Sequence, residues 1–208
     1  MKTVVSIKAQ LRNFSAVNAR FDVAEAALEK SLRSFGRVDR VECSNFNDAL
    51  RYLLPVKSLA TRFLILGLDG WSLLLADMRG ENCYVDAFAI SRATLCNAIS
   101  LSIEPERREL YVFEEEQKLR VVQSLSDGKR WYYREEGLLQ PFEESEECSR
   151  RPKSSRLQPQ ALERYFTRYT GLEIPRWKNE QYDRIIGLER STRGLTQPVR
   201  HFDTADDR

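Results

Sequence analysis

The chain has 208 residues, 33 basic against 31 acidic groups, and 42% hydrophobic residues, with a mean hydropathy of −0.50. This composition predicts a folded, soluble globule long enough for one large domain or a domain with an appendage. The near-neutral total argues against a dedicated nucleic-acid binder, and no apolar run is long enough to span a bilayer. Met1 to Ser6 lack the apolar stretch of an export signal, so a cytoplasmic location is expected.

Charge is distributed unevenly. Residues 1–60 carry 10 basic and 6 acidic groups, residues 61–147 carry 10 and 17, and residues 148–208 carry 13 and 8. The middle of the chain is therefore an acidic block (−7) between basic flanks.

Phe21-Asp22-Val23-Ala24-Glu25 reads as a helix start, with Asp22 and Glu25 spaced as in a capping box. Ala24, Ala27, Leu28, Ser31, Leu32 and Phe35 share one face of that helix, and Gly36 is placed to end it. Arg37 to Cys43 follows as a short strand. Asn45 and Asp48 open a second helix through Leu50 and Leu53, which Pro55 should stop.

Between Thr61 and Met78 two nearly continuous apolar runs flank Asp69-Gly70. Asp-Gly at that position predicts a type I′ hairpin, because both central residues must take positive φ. Arms at 62–68 and 71–76 should be central strands, covered on both faces. After a turn at residues 79–82, Ser91 to Ile103 reads as an amphipathic helix capped by Ser91. Strands are expected at Glu109–Glu114, Leu119–Leu125 and Arg130–Arg134, the last two joined by a tight turn at Asp127-Gly128. Trp131 and Tyr133 should share one face of the last strand, with Tyr132 and Arg134 on the other.

Beyond Pro141 an acidic run, Glu143 to Glu147, meets a basic one, Arg150 to Arg156, and the stretch reads as a solvated linker. Gln160 to Thr170 is a further helix, with Leu162, Tyr165, Phe166 and Tyr169 on one side and Gly171 as terminator. Residues 191–208 should fray. The fold class that follows is α+β: a predominantly antiparallel sheet of five or six strands, built from two Asp-Gly hairpins and a meander, packed by helices. Residues 1–148 form the core domain, and 149–208 supply the linker, the C-terminal helix and the tail packing on the same domain.

Catalytic signatures are scarce. The single histidine, His201, lies in the tail, and no phosphate loop or dinucleotide fingerprint is present. Cys43, Cys83, Cys96 and Cys148 form no CxxC pair and have no histidine near them, so buried reduced thiols are expected rather than a metal site. No cofactor is expected. Glu114, Glu115 and Glu116 are adjacent and do not converge on one face of a strand, which fits a solvated turn.

The segment Trp131-Tyr132-Tyr133-Arg134-Glu135-Glu136-Gly137-Leu138-Leu139-Gln140-Pro141-Phe142-Glu143 resembles a strand–turn ending of small bacterial immunity proteins. Those proteins are the neutralisers of polymorphic-toxin and contact-dependent competition systems. The basic stretch Arg150–Arg156 and the short helix Leu162–Tyr169 follow in a similar order, and the likeness covers residues 60–172. It implies a protein without catalytic activity that binds and blocks a secreted toxin.

If the toxin acts on a phosphate-bearing substrate its cleft is basic, and the acidic block would complement it. The partner-binding residues expected are Glu114, Glu115, Glu116, Glu143, Glu144, Glu146 and Glu147, with Tyr132 as an aromatic anchor among them. Two other classes stay open: a carboxylate-dependent hydrolase or transferase using residues 104–116 and 143–147, and a nucleic-acid-associated adaptor using the basic C-terminal segment.

Overall fold

The computed structural model describes residues 12–53, 60–76, 83–174 and 182–192. The chain runs β1 (Asn13–Val17), α1 (Phe21–Arg33), β2 (Gly36–Glu42), α2 (Phe46–Tyr52), β3 (Thr61–Leu68) and β4 (Trp71–Ala76). It continues through α3 (Tyr84–Thr94), β5 (Ala98–Ile103), β6 (Arg107–Glu114), β7 (Gln117–Ser126) and β8 (Trp131–Gly137). Last come α4 (Ser145–Ser149), a 3-10 turn (Lys153–Ser155), α5 (Pro159–Thr170) and β9 (Arg184–Thr192). The fold is α+β: the strands form one antiparallel sheet ordered β2-β9-β3-β4-β1-β5-β6-β7-β8.

Helices cover both faces. On one side α1 and α3 bury Ala24, Leu28, Leu32, Ala87 and Ile90 against Phe63, Ile65, Leu74 and Phe113. On the other side α2 and α5 bury Phe46, Leu50, Leu162, Tyr165 and Phe166 against Phe14, Leu64, Leu66, Leu73 and Leu101. The alternation of side chains explains the apolar arms of the first hairpin. In β3, Leu64, Leu66 and Leu68 enter one core while Phe63 and Ile65 enter the other, so every residue of the strand is buried. Asp69 (φ 47°) and Gly70 (φ 79°) both take the positive φ of the expected type I′ turn.

The sheet has nine strands instead of five or six. The added ones are β1, β5 and β9, and each slots between or beside strands that sequence periodicity does identify. Residues 91–103 are not one helix. The helix lies upstream as α3, ends at Leu95 in the left-handed region (φ 52°), and gives way to β5. Ser91 therefore serves the helix C-terminus: its hydroxyl bonds to the carbonyls of Cys96 (2.5 Å) and Glu115 (2.9 Å). The run Ala-Ile-Ser-Leu-Ser-Ile alternates, with Ile99 and Leu101 in one core and Ala98 in the other.

Local punctuation behaves unevenly. Asn45 caps α2 as expected, accepting from the Asp48 N–H at 3.0 Å. Gly171 ends α5 at φ 76°. Asp22 does not cap α1; it lies inside the helix and pairs with Arg20 at 3.0 Å. Gly36 does not end α1 either. It opens β2, where a Cβ would stand 2.0 Å from the Ser191 carbonyl oxygen of β9, so the need is for close approach of two strands. At the β7–β8 turn Asp127 works through its side chain, accepting from the Lys129 (2.9 Å) and Arg130 (2.7 Å) N–H groups.

Residues 184–192, part of which reads as tail, form β9 between β2 and β3. Pro55, the turn at 79–82, residues 193–208 and His201 lie outside the described residues. Among the described residues no helix is long and apolar enough to cross a membrane.

No disulfide joins any two of the four cysteines, and Cys83 and Cys148 are buried. Burial pushes the Cys148 thiol above its ordinary range, so little thiolate exists near neutrality. Alkylation of Cys148 by iodoacetamide at pH 8 is expected to be at least about tenfold slower in the native protein than in denaturant. Peptide mass spectrometry reads this directly, and equal rates would show that the α4 region opens freely.

Candidate functional site

Loops from four connections gather at one end of the sheet. The register aligns Trp71, Val17, Ala98 and Phe113 near that end, so the 69–70, 95–97 and 115–116 turns are neighbours. The Ser91 hydroxyl, shared by the carbonyls of Cys96 and Glu115, ties two of these loops together. Gly137, paired with Arg120, brings the chain from β8 to the same end, where residues 138–144 follow.

This rim is acidic and carries exposed apolar side chains. Glu114, Glu115 and Glu116 make the β6–β7 turn, all exposed and without an ion pair among the described residues, with Glu115 in the left-handed region at φ 52°. Leu95 is 61% exposed, Leu138 84% and Leu139 48%. Leu95 caps α3 in the left-handed region (φ 52°). Tyr169 lies behind the rim against Trp71 (5.9 Å) and Phe142 (5.1 Å). Its hydroxyl is pushed up to about 12, by burial first and the Glu114 carboxylate second.

The acidic run after β8 is not a solvated face, and this corrects the expectation for Glu143 and Glu147. Glu143 is buried and receives the Arg120 guanidinium, Nε lying 3.1 and 3.2 Å from its two oxygens. It also accepts the Gln140 N–H at 3.0 Å. Burial works to raise the Glu143 carboxyl, and the Gln140 N–H and Arg120 oppose it. Arg120 further donates to the Gly137 carbonyl (2.9 Å) and to Glu135 (2.8 Å). The cluster clasps the 138–144 loop and α4 onto the sheet.

Glu147 is buried beside Arg150 (2.8 Å) and Arg164 (3.7 Å). Glu144 is half-buried between Arg164 (2.8 Å) and Arg168 (2.9 Å) of α5, which hold its carboxyl below the usual range. Only Glu146 of this run is exposed and free of ion pairs. Tyr132 is exposed but opposite Leu125, at the far end of the β7–β8 hairpin, where its hydroxyl donates to Asp127 (2.9 Å). It is no anchor among the glutamates.

No family model, curated protein or solved structure matches the chain.

Two further groupings escape sequence reading. The buried carboxylate of the 104–116 stretch is Glu109, not the Glu114–Glu116 turn. Glu109 accepts from Arg107 Nε (2.7 Å), Gln123 Nε2 (2.8 Å) and Tyr111 Oη (3.2 Å). Register places it in one transverse row, Asn13, Ser102, Glu109, Gln123 and Arg134, across five strands. Its charge is already matched by Arg107, so the row reads as a satisfied interior network with two exceptions, Asn13 Oδ1 and Ser102 Oγ, which make no hydrogen bond.

The second grouping is basic and aromatic. On the α2/α5 face of β8 the Arg108 guanidinium lies 4.5 Å from the Trp131 ring and Arg156 lies 4.6 Å from Tyr133. Arg108 also donates to the Ser154 (2.9 Å) and Arg156 (3.3 Å) carbonyls, which pins the basic 150–156 segment on the sheet. The aromatic faces are therefore occupied by the protein's own cations. Among the described residues no cluster of His, Cys, Asp or Glu is arranged to hold a metal.

Proposed function

We propose that this chain is a non-catalytic, cytoplasmic immunity protein that neutralises a cognate secreted toxin by direct binding. The reading rests on the rim at the loop end of the sheet: Glu114 to Glu116, with no ion pair among the described residues, lie at the same end as the exposed leucines Leu95, Leu138 and Leu139. Exposed leucines cost solubility and clustered like charges add no stability, and the combination suits a basic partner with an apolar rim to its cleft. Glu143 and Glu147 leave the contact set because they neutralise this chain's own arginines. Glu144 and Glu146 border it.

The test starts from the neighbouring genes, where a large protein ending in a toxin domain is expected. Expression of that domain should kill cells, and co-expression of this chain should rescue them. Killing that this chain does not relieve removes the reading. With such a partner in hand, replacing Glu114, Glu115 and Glu116 by Gln is expected to slow association about tenfold at low salt and to flatten its salt dependence. Thermal stability should shift little, because the three side chains touch no ion-pair partner. Unchanged association kinetics would move the interface away from this turn.

A further inference from the structure

β8 is the terminal strand of the sheet, and nothing among the described residues pairs with its outer edge. The Asp127 N–H donates to the Arg130 carbonyl at 3.2 Å and closes the hairpin. Bonded pairs recur at every second residue of an antiparallel ladder. Arg130, Tyr132, Arg134 and Glu136 therefore turn their backbone groups to β7, and Trp131, Tyr133 and Glu135 turn theirs outward. Those three residues offer a run of unpaired donors and acceptors, the usual template for another strand.

Edge strands are normally blunted by charge, and the other edge, β2, shows how. Its charges are neutralised by near neighbours: Arg37 by Asp39 at 3.0 Å, and Arg40 by Glu25 at 2.6 Å and Glu42 at 3.1 Å. From the turn before β8 to its end the bases precede the acids: Lys129 and Arg130, with no ion pair among the described residues, stand just before the strand, and Glu135 and Glu136, held by Arg120 and Arg134, stand at its end. A strand that is basic at its start and acidic at its end is complementary to an antiparallel copy of itself.

We propose that β8 is the interface of a symmetric homodimer in which two sheets join edge to edge, with the two-fold axis beside Tyr133. The register follows from charge. A two-fold axis perpendicular to the sheet keeps like faces together, so residues of the same parity must pair. Centring on Tyr133 sets Arg130 opposite the partner's Glu136 and Arg134 opposite the partner's Tyr132, each twice by symmetry. Centring one residue earlier sets Arg130 opposite the partner's Arg134. Centring one residue later sets Arg134 against the partner's Arg134. The earlier register also sets Lys129 opposite the partner's Glu135, but of the three only the first gives an opposite pair with no like charges facing each other. It also pairs Trp131, Tyr133 and Glu135 with the outward groups of the partner's Glu135, Tyr133 and Trp131. Glu136 pairs with Arg134 of its own strand and Lys118 lies near enough to lower its carboxyl, so the dimer adds a counter-charge for Arg130, which has no ion pair among the described residues.

This inference does not depend on the toxin reading, and its test needs no toxin. Sedimentation velocity of the full chain should show a monomer–dimer equilibrium that weakens as salt rises. Arg130→Glu and Glu136→Arg should each weaken the dimer about tenfold or more, and the double variant carrying both should restore it. Both side chains are exposed, and the far-ultraviolet spectrum and melting temperature should be close to those of the parent. A parent chain that stays monomeric up to several hundred micromolar overturns the proposal. So does a dimer that neither reversal weakens, or a double variant no tighter than the single ones.

Discussion

Replacing Glu143 by Ala is expected to cost about 3–5 kcal/mol of folding stability, the range for breaking a buried ion pair by removing one partner. Arg120 is 3% exposed and would keep only Glu135, which is about half exposed, as counter-charge. The Gln140 N–H would lose its acceptor as well. Urea denaturation followed by tryptophan fluorescence reads the loss. The double variant Arg120→Met with Glu143→Leu should recover most of it, because the cost lies in the orphaned charge more than in the missing attraction. Glu146→Ala, three residues on and exposed, should change stability by less than about 0.5 kcal/mol. A small effect at Glu143 would return that residue to the list of possible partner contacts.

The second large effect is expected at Arg62. Its side chain is 3% exposed, with Nε 2.7 Å from Glu189 and Nη1 3.0 Å from the Tyr52 carbonyl, and the guanidinium lies 4.9 Å from the Tyr52 ring. Arg62 and Glu189 are cross-strand partners, so this pair fastens β9 to β3 across 127 residues of sequence. Arg62→Met should cost about 3–5 kcal/mol, by leaving Glu189 in a mostly buried position without its cation. Hydrogen exchange should report faster opening of β9 and of its other neighbour β2, with β6 and β7 less affected. Uniform acceleration over the sheet would mean that β9 does not open separately.

Much of the middle of the fold is legible in the chain, and for local reasons. The Asp69-Gly70 turn, the apolar arms, the Asn45 cap and the Gly171 terminator are set within four residues of one another or by continuous runs. β5 was hidden because its six residues alternate serine or alanine with large aliphatics, and the same spacing also leaves an apolar helical face. β1, at five residues, is short enough to pass for a loop, and it becomes a strand because β4 and β5 supply its hydrogen bonds.

The candidate site divides along the same line. That Glu114 to Glu116 form an exposed turn follows from three adjacent acids at a strand end, a local property. That Glu143 is buried follows from Arg120, 23 residues away, and no local pattern carries it; Glu147 has Arg150 three residues on and also Arg164, 17 residues away. Tyr132 is exposed as its alternation with Trp131 implies, yet its distance from the glutamates depends on how β8 pairs with β7.

By itself the sequence determined most element types though not β1, β5 or β9, the two tight hairpins and the acidic character of the middle block, since backbone φ, side-chain alternation and charge are properties of short stretches. Tertiary structure decided which strands are neighbours, which acids face solvent, and which edge remains open. Those outcomes depend on where distant segments deliver a hydrogen bond or a counter-charge, and burial makes each unsatisfied group too costly to leave to chance.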